Sequence, residues 1–170
     1  LCKKDNRFKW ISQSFQSQGI FGAMNDGIKE IKESSWVLFW GSDDWCHSSD
    51  VLEKLYEKLN KIYSSGLKID LLINKARFFS KELKIGRDFK FNLIQNNFRK
   101  SLFWGEIPAH QGVVFNSDLF EKNLYKDNYK IASDLEFFLR LANKKVKIKY
   151  SVETIVSMLE GGESQIFIIK

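Results

Sequence analysis

Five consecutive apolar residues, WVLFW at positions 36 to 40, are the stretch that most constrains how this chain folds. The run is too short for a buried helix and apolar on both faces of an extended strand, so it predicts a central parallel strand covered on both sides. The stretch before it has a different period: Ile20, Met24, Ile28 and Ile31 recur at helical spacing, with Ala23 and Gly27 beside them. Behind it, Val51, Leu52, Leu55, Leu59 and Ile62 make one face of a second helix, and Asp50 with Glu53 resembles a capping box. IDLLI (69 to 73), followed by ARFF (76 to 79), and GVVF (112 to 115) read as further strands. Ser133 and Glu136 have capping-box spacing for a helix burying Leu135, Phe138, Leu139 and Ala142. VKIKY and ETIVSML follow as strands, and FKWIS (8 to 12) would suit a short one. Strands alternating with helices predict an α/β domain with a mostly parallel sheet and helices on both faces. Residues 80 to 105 carry no clear period.

The 170 residues make one domain, 44% apolar and 28% charged, as in ordinary globular proteins. Fifteen Phe and five Trp against one Pro predict an aromatic-rich interior. No apolar run approaches the roughly 20 residues of a membrane span. Cys2 and Cys46 form no disulfide framework, which favours a reducing, cytosolic setting. The first residues, LCKKDNRFKW, contain neither an initiator Met nor an apolar leader and read like the middle of a longer sequence. Twenty-seven basic residues against twenty-one acidic ones leave a net charge of +6. That surplus suits phosphorylated ligands or peripheral contact with anionic lipid. Its densest cluster, KVKIK at 145 to 149, alternates like the polar face of a strand. No nucleic-acid recognition motif accompanies the charge, so no nucleic-acid partner is expected.

Four segments could carry chemistry. GSDDW (41 to 45) places Asp43 and Asp44 where an apolar strand ends, and ligands of open α/β sheets bind beyond the carboxyl ends of strands. Two carboxylates there suit Mg²⁺ or Mn²⁺ shared with substrate phosphates, but Gly41 and Ser42 also favour a plain solvated turn. Asn25 is the polar exception in a helical segment, able to hydrogen-bond a sugar or phosphate or to sit exposed. His110 and Gln111 precede a strand, in a loop where a lone His is either structural or a ligand contact. Asp134, in the first turn of its helix, suits the helix dipole by position, and a general base is the second reading. His47 has no such setting.

Taken in order, QGIFGAMNDGI, WVLFWGSDD, PAHQGVVF, YKIASDLEFFLRL and GGES (161 to 164) resemble the family 2 glycosyltransferases. These are inverting enzymes of the glycosyltransferase A fold that use nucleotide-sugar donors. The resemblance runs from about residue 8 to 165. It implies that Asp44 meets a divalent cation, Mg or Mn, and that Asp43 lies near the donor's ribose. It likewise places Asn25, His110 and Gln111 at the donor and makes Asp134 the catalytic base. The implied partners are a nucleotide-sugar donor and a glycan or lipid-linked sugar acceptor. The setting would be surface polysaccharide or lipopolysaccharide assembly in the cytoplasm, at the inner face of the plasma membrane.

Three departures stand out. Phe21 and Gly22 replace a Tyr and an acidic residue usual in the first motif, Ser17 replaces an Asp, and nothing corresponds to the family's first strand and helix. The resemblance therefore implies an N-terminally truncated domain. It leaves a second function class open: a non-catalytic remnant of the fold that binds a partner.

Overall fold

The computed structural model describes residue 5 and residues 8–16, 19–31, 35–80, 86–89, 91–126, 128–129 and 132–160. The order of elements is α1 (Gly19–Ile28), β1 (Trp36–Val37), β2 (Asp44–Cys46), α2 (Val51–Ser64), β3 (Leu71–Phe79), β4 (Gly86–Phe89) and α3 (Phe98–Phe103). A 3-10 turn (Ile94–Asn96) precedes α3; a second (His110–Gly112), β5 (Val113–Asn116), a third (Ser117–Glu121), α4 (Ser133–Asn143) and β6 (Ile148–Leu159) follow it. The strands form one sheet in the order β1-β5-β3-β6-β2, with β4 also paired to β3.

The α/β class and the helices on both faces are as expected, but the sheet is mixed. Only β3 and β6 run parallel, and the other pairings are antiparallel. The alternation of side chains along the strands explains the layering. Leu71, Ile73, Val113 and Phe115 point into a core closed by Ile28 of α1, Phe98 and Leu102 of α3, and Phe137, Phe138 and Leu141 of α4. Leu72 and Val114, one step along, point into a second core closed by Val51, Leu55, Leu59 and Ile62 of α2.

WVLFW follows the same rule: Val37 and Phe39 pack into the first core, and Trp36, Leu38 and Trp40 into the second. It is not a central parallel strand, however. Only Trp36 and Val37 pair, antiparallel to β5, at one end of the described sheet. Apolarity on both faces reports two covering cores and says nothing about which strand lies alongside.

Other expectations shift for local reasons. VKIKY and ETIVSML join into one strand, β6, whose pairing with β3 slips between Ile73 and Ala76. ARFF continues β3, and residues 8 to 12 form no strand and lie exposed. Neither capping box forms. Asp50 accepts from Ser48 Oγ at 2.6 Å and pairs with Lys54 at 2.7 Å, so its carboxylate is drawn away from the helix end. Ser133 lies inside α4 and donates to the Lys126 carbonyl at 2.8 Å, while Glu136 pairs with Arg140 and Lys126. The buried stripe of α4 consequently runs through Phe137, Phe138 and Leu141, leaving Leu139 at the surface. The 161 to 164 segment lies outside the described residues.

The α2 face differs at one position: Leu55 is buried and Leu52 is half exposed. Leu55→Ala is expected to lower unfolding stability by about 2–5 kcal/mol and Leu52→Ala by no more than about 0.5 kcal/mol, read from denaturant titrations.

Candidate functional site

The Asp43–Asp44 turn is built around Gly41. The Gly41 N–H donates to Asp44 Oδ2 at 2.5 Å, and the Asp44 N–H returns to the Gly41 carbonyl at 3.3 Å. A Cβ on residue 41 would come within 2.9 Å of Asp43 Oδ1 and 3.3 Å of Asp44 Oδ2, so the glycine makes room for both carboxylates. Asp43 is exposed and Asp44 half buried where β2 begins. Burial, with a smaller push from the Asp43 charge, raises the Asp44 carboxyl above its usual range; the Gly41 N–H opposes this. No described basic side chain pairs with either aspartate, so a nearby cation would relieve this charge.

Among the described residues no group of three or more His, Cys, Asp or Glu side chains could hold a metal. Two carboxylates of hard oxygens are nevertheless the protein share expected for Mg²⁺ or Mn²⁺, which take their remaining ligands from water and substrate phosphate.

Trp40 joins this turn to the second motif. Its indole Nε1 donates to the Gln111 carbonyl at 3.0 Å. The 3-10 turn carrying His110 and Gln111 is itself pinned to β3, where the Asn74 amide donates to the Gly112 carbonyl at 3.1 Å. Gly112 allows that approach, since a Cβ there would meet the Asn74 carbonyl at 2.8 Å. The Gln111 side chain is half buried and its amide bonds no described group, which leaves it available to a ligand.

His110 and Asn25 are placed differently. The His110 ring is buried among Phe39, Phe115 and Phe138, with Nε2 2.7 Å from the Tyr125 hydroxyl. Burial lowers its pKa to about 4, so the imidazole is neutral at physiological pH. Asn25 uses both ends of its amide on the backbone of Tyr125: Oδ1 accepts from Tyr125 N–H at 2.9 Å and Nδ2 donates to its carbonyl at 2.8 Å. In this arrangement both residues hold the protein together through Tyr125, a residue that sequence reading passed over. A tyrosine with no partner of known spacing leaves no local signal.

Asp134 stands in the first turn of α4, half buried, with Oδ1 accepting from the Leu135 N–H at 2.7 Å. Burial raises its pKa against the opposing N–H contacts. Burial first, and then the Asp134 charge, push the Tyr125 hydroxyl well above its usual range, with Arg140 opposing. Asp134, Tyr125 and His110 therefore form one neighbourhood. The Asp43–Asp44 turn reaches it through the adjacent contacts of Phe39 with His110 and Trp40 with Gln111.

The family and the fold can be identified by comparison. The sequence profile of Glycosyl transferase family 2 matches residues 1–118. That span includes Asn25, Asp43, Asp44, His110 and Gln111 and ends before Asp134. The chain belongs to this family. Similar solved structures include S. aureus TarS residues 1–349, with a TM-score of 0.58 and 16% identity over 83% of this chain and 40% of that one. Another is the same TarS fragment in complex with UDP, with a TM-score of 0.56 and 15% identity over 82% and 40% of the two chains. A further TarS structure has a TM-score of 0.57 and covers 83% of this chain and 24% of that one. The chain thus spans well under half of these neighbours, and at such identity the likeness is one of fold. No curated protein is matched by the sequence.

The buried imidazole makes a pH prediction. Its folded pKa lies below the usual 6.5, so the unfolded chain takes up the proton first, and this contribution to stability is lost as pH falls from 6.5 toward 4. The raised carboxyls of Asp44 and Asp134 act in the opposite sense at the acid end. Unfolding titrations over this range should show His110→Gln flattening the curve by up to about 1.4 kcal/mol per pH unit relative to the parent.

Proposed function

We propose that this chain acts as an inverting glycosyltransferase, moving a sugar from a nucleoside-diphosphate donor to a hydroxyl of a glycan or lipid-linked acceptor. The observation that carries the reading is the Asp43–Asp44 pair, shaped by Gly41 and tied through Trp40 to Gln111. The family match supports it, as does the UDP complex of a protein with the same fold. Family 2 enzymes commonly use a divalent cation. Mg²⁺ or Mn²⁺ on Asp44, with Asp43 toward the ribose, would offset the charge developing on the departing diphosphate.

Asp134 is the base in this reading. Its carboxylate accepts the proton of the acceptor hydroxyl, whose oxygen forms a bond to the anomeric carbon as the bond to the diphosphate oxygen breaks. Attack from the face opposite the leaving group inverts the configuration. A pKa raised by burial makes Asp134 a stronger base than a solvated carboxylate. His110 keeps the Tyr125 region in place as a neutral ring, and Gln111 offers its amide to the donor sugar. The setting we infer is surface polysaccharide or lipopolysaccharide assembly in the cytoplasm, with the basic surface held peripherally at the inner face of the plasma membrane.

Titration of UDP with and without Mn²⁺ tests the donor site. Binding should require the metal and weaken at least tenfold in Asp44→Ala; equal binding in that variant would refute the assignment. Asp134→Asn should bind UDP like the parent, lose sugar transfer by about 10²–10⁴-fold, and unfold at the same or a higher temperature, because it removes a carboxylate that burial disfavours. A complete absence of UDP binding in the parent chain would instead favour the partner-binding reading.

A further inference from the structure

The face of the sheet that carries His110 and Asp134 continues past them into a patch that none of the roles above uses. On β3, Ala76 and Phe78 turn toward the α2 core, so Lys75, Arg77 and Phe79 face the other way, the side of α4. Ser157 of β6 lies directly beside Arg77, and Trp45 of β2 lies beside Ser157. His47, two residues beyond Trp45, shares that face, with its Nδ1 3.0 Å from Ser157 Oγ. Five side chains, Trp45 and His47 at β2 and Lys75, Arg77 and Phe79 on β3, therefore flank Ser157 of β6 on one surface.

The hydrogen-bonding capacity of this surface is largely unused. Arg77 Nε is buried and has no partner. Nη2 reaches the Gly86 carbonyl only at 3.4 Å, and the cross-strand Asp88 lies 3.8 Å from Nη1, beyond hydrogen-bond distance. Lys75 is exposed in mid-strand and pairs with no described group. His47 is exposed and its Nδ1 lies against Ser157 Oγ, which leaves Nε2 with no described partner. Beside these groups the Trp45 and Phe79 rings are 5.6 Å apart and tilted by 36°, forming a half-exposed apolar shelf. The guanidinium lies 5.6 Å from the Phe79 ring. Gly86 makes this layout possible, because a Cβ there would come within 2.6 Å of Arg77 Nε and 2.9 Å of the Phe79 ring.

We propose that this surface is the acceptor subsite and that it takes a sugar or polyol bearing a phosphate group. The guanidinium, the ammonium and the free imidazole nitrogen hold the phosphate, and the ring shelf receives the apolar face of the sugar. Asp88, 3.8 Å from Arg77 Nη1, is the cross-strand counter-charge that a bound phosphate displaces from the guanidinium. The proposal rests on the reading of Asp134 as the base, since the helix that bears it lies over this face.

The test is a titration of the 170-residue chain with glucose 1-phosphate, methyl glucoside, glucuronate and inorganic phosphate. It is followed by NMR of the Trp45 indole and His47 ring, with UDP and Mn²⁺ titrated in parallel. Glucose 1-phosphate is expected to shift both resonances and to bind at least tenfold tighter than methyl glucoside or glucuronate. Lys75→Ala/Arg77→Ala should weaken it at least tenfold, with Arg77→Lys intermediate, while leaving UDP binding unchanged. Asp44→Asn should do the reverse, which separates this subsite from the donor site. Glucose 1-phosphate binding that survives the double variant within twofold overturns the proposal. Equal binding of glucuronate overturns the phosphate assignment, and inorganic phosphate binding as tightly as the sugar phosphate shows an adventitious anion only. If UDP fails to bind while glucose 1-phosphate still depends on Arg77, the subsite stands and the donor reading falls.

Discussion

Tyr125 is the point on which the arrangement of the candidate site depends. Its backbone is closed by the Asn25 amide, its hydroxyl meets His110, and its ring lies 4.4 Å from that of Phe137 on α4. One residue therefore joins α1, the His110–Gly112 turn and the helix that carries Asp134. Each contact takes place away from bulk water, where an unmet polar group costs about 1–3 kcal/mol. Replacing Asn25 or His110 would leave such a group behind, and shortening Phe137 would leave a gap against the ring, so the three elements hold one another in register. Phe39 adds ring contacts to His110 and Tyr125 and ties in the chain that leads to the Asp43–Asp44 turn.

The electrostatics of this neighbourhood point to function more than to stability. Asp44 and Asp134 are both pushed toward the protonated form by burial. His110 is pushed toward its neutral form by the same cause. A fold selected only for stability would pair or expose these groups, as it does with Asp50, whose carboxyl is held below its usual range by Lys54 and Ser48. A cation or a proton supplied by a ligand would relieve unpaired, half-buried carboxylates of this kind. The neutral His110 differs: its burial is compensated by Tyr125, and it belongs with the framework.

How much of this was legible in the sequence depends on the range of the interaction. Period and burial were readable, because they follow from side-chain spacing within one element: α1, α2, β5 and the two-faced character of WVLFW all follow from it. Strand partners were not, since Trp36 meets Asn116 across eighty positions and nothing local marks the pairing. The capping boxes failed because spacing names candidates, while Lys54, Lys126 and Arg140 compete for the same side chains. The candidate residues stood out as an ordered set of motifs, and that order matched the family that the sequence profile shows. That Asn25 and His110 spend their polar atoms on Tyr125, while Gln111 and the aspartates do not, could be seen only once Tyr125 was placed between them.

The same alternation that builds the two cores also divides the work at the end of β2. Asp44, Met158 and Phe78 line up across three strands on the face toward α2, and Cys46 follows on that side. Trp45, Ser157 and Arg77 line up on the other. Adjacent residues of one short strand thus serve opposite faces, with Asp44 anchored by Gly41 at the rim and Trp45 beside Phe79 on the other side. A shift of one residue in the β2–β6 register would exchange the two sets, placing an indole at the turn and a carboxylate among the cations. The Ser157–His47 contact and the fit of Cys46 against the α2 core oppose that slip from either face. The position of the paired carboxylates is therefore a property of the sheet as much as of the turn that bears them.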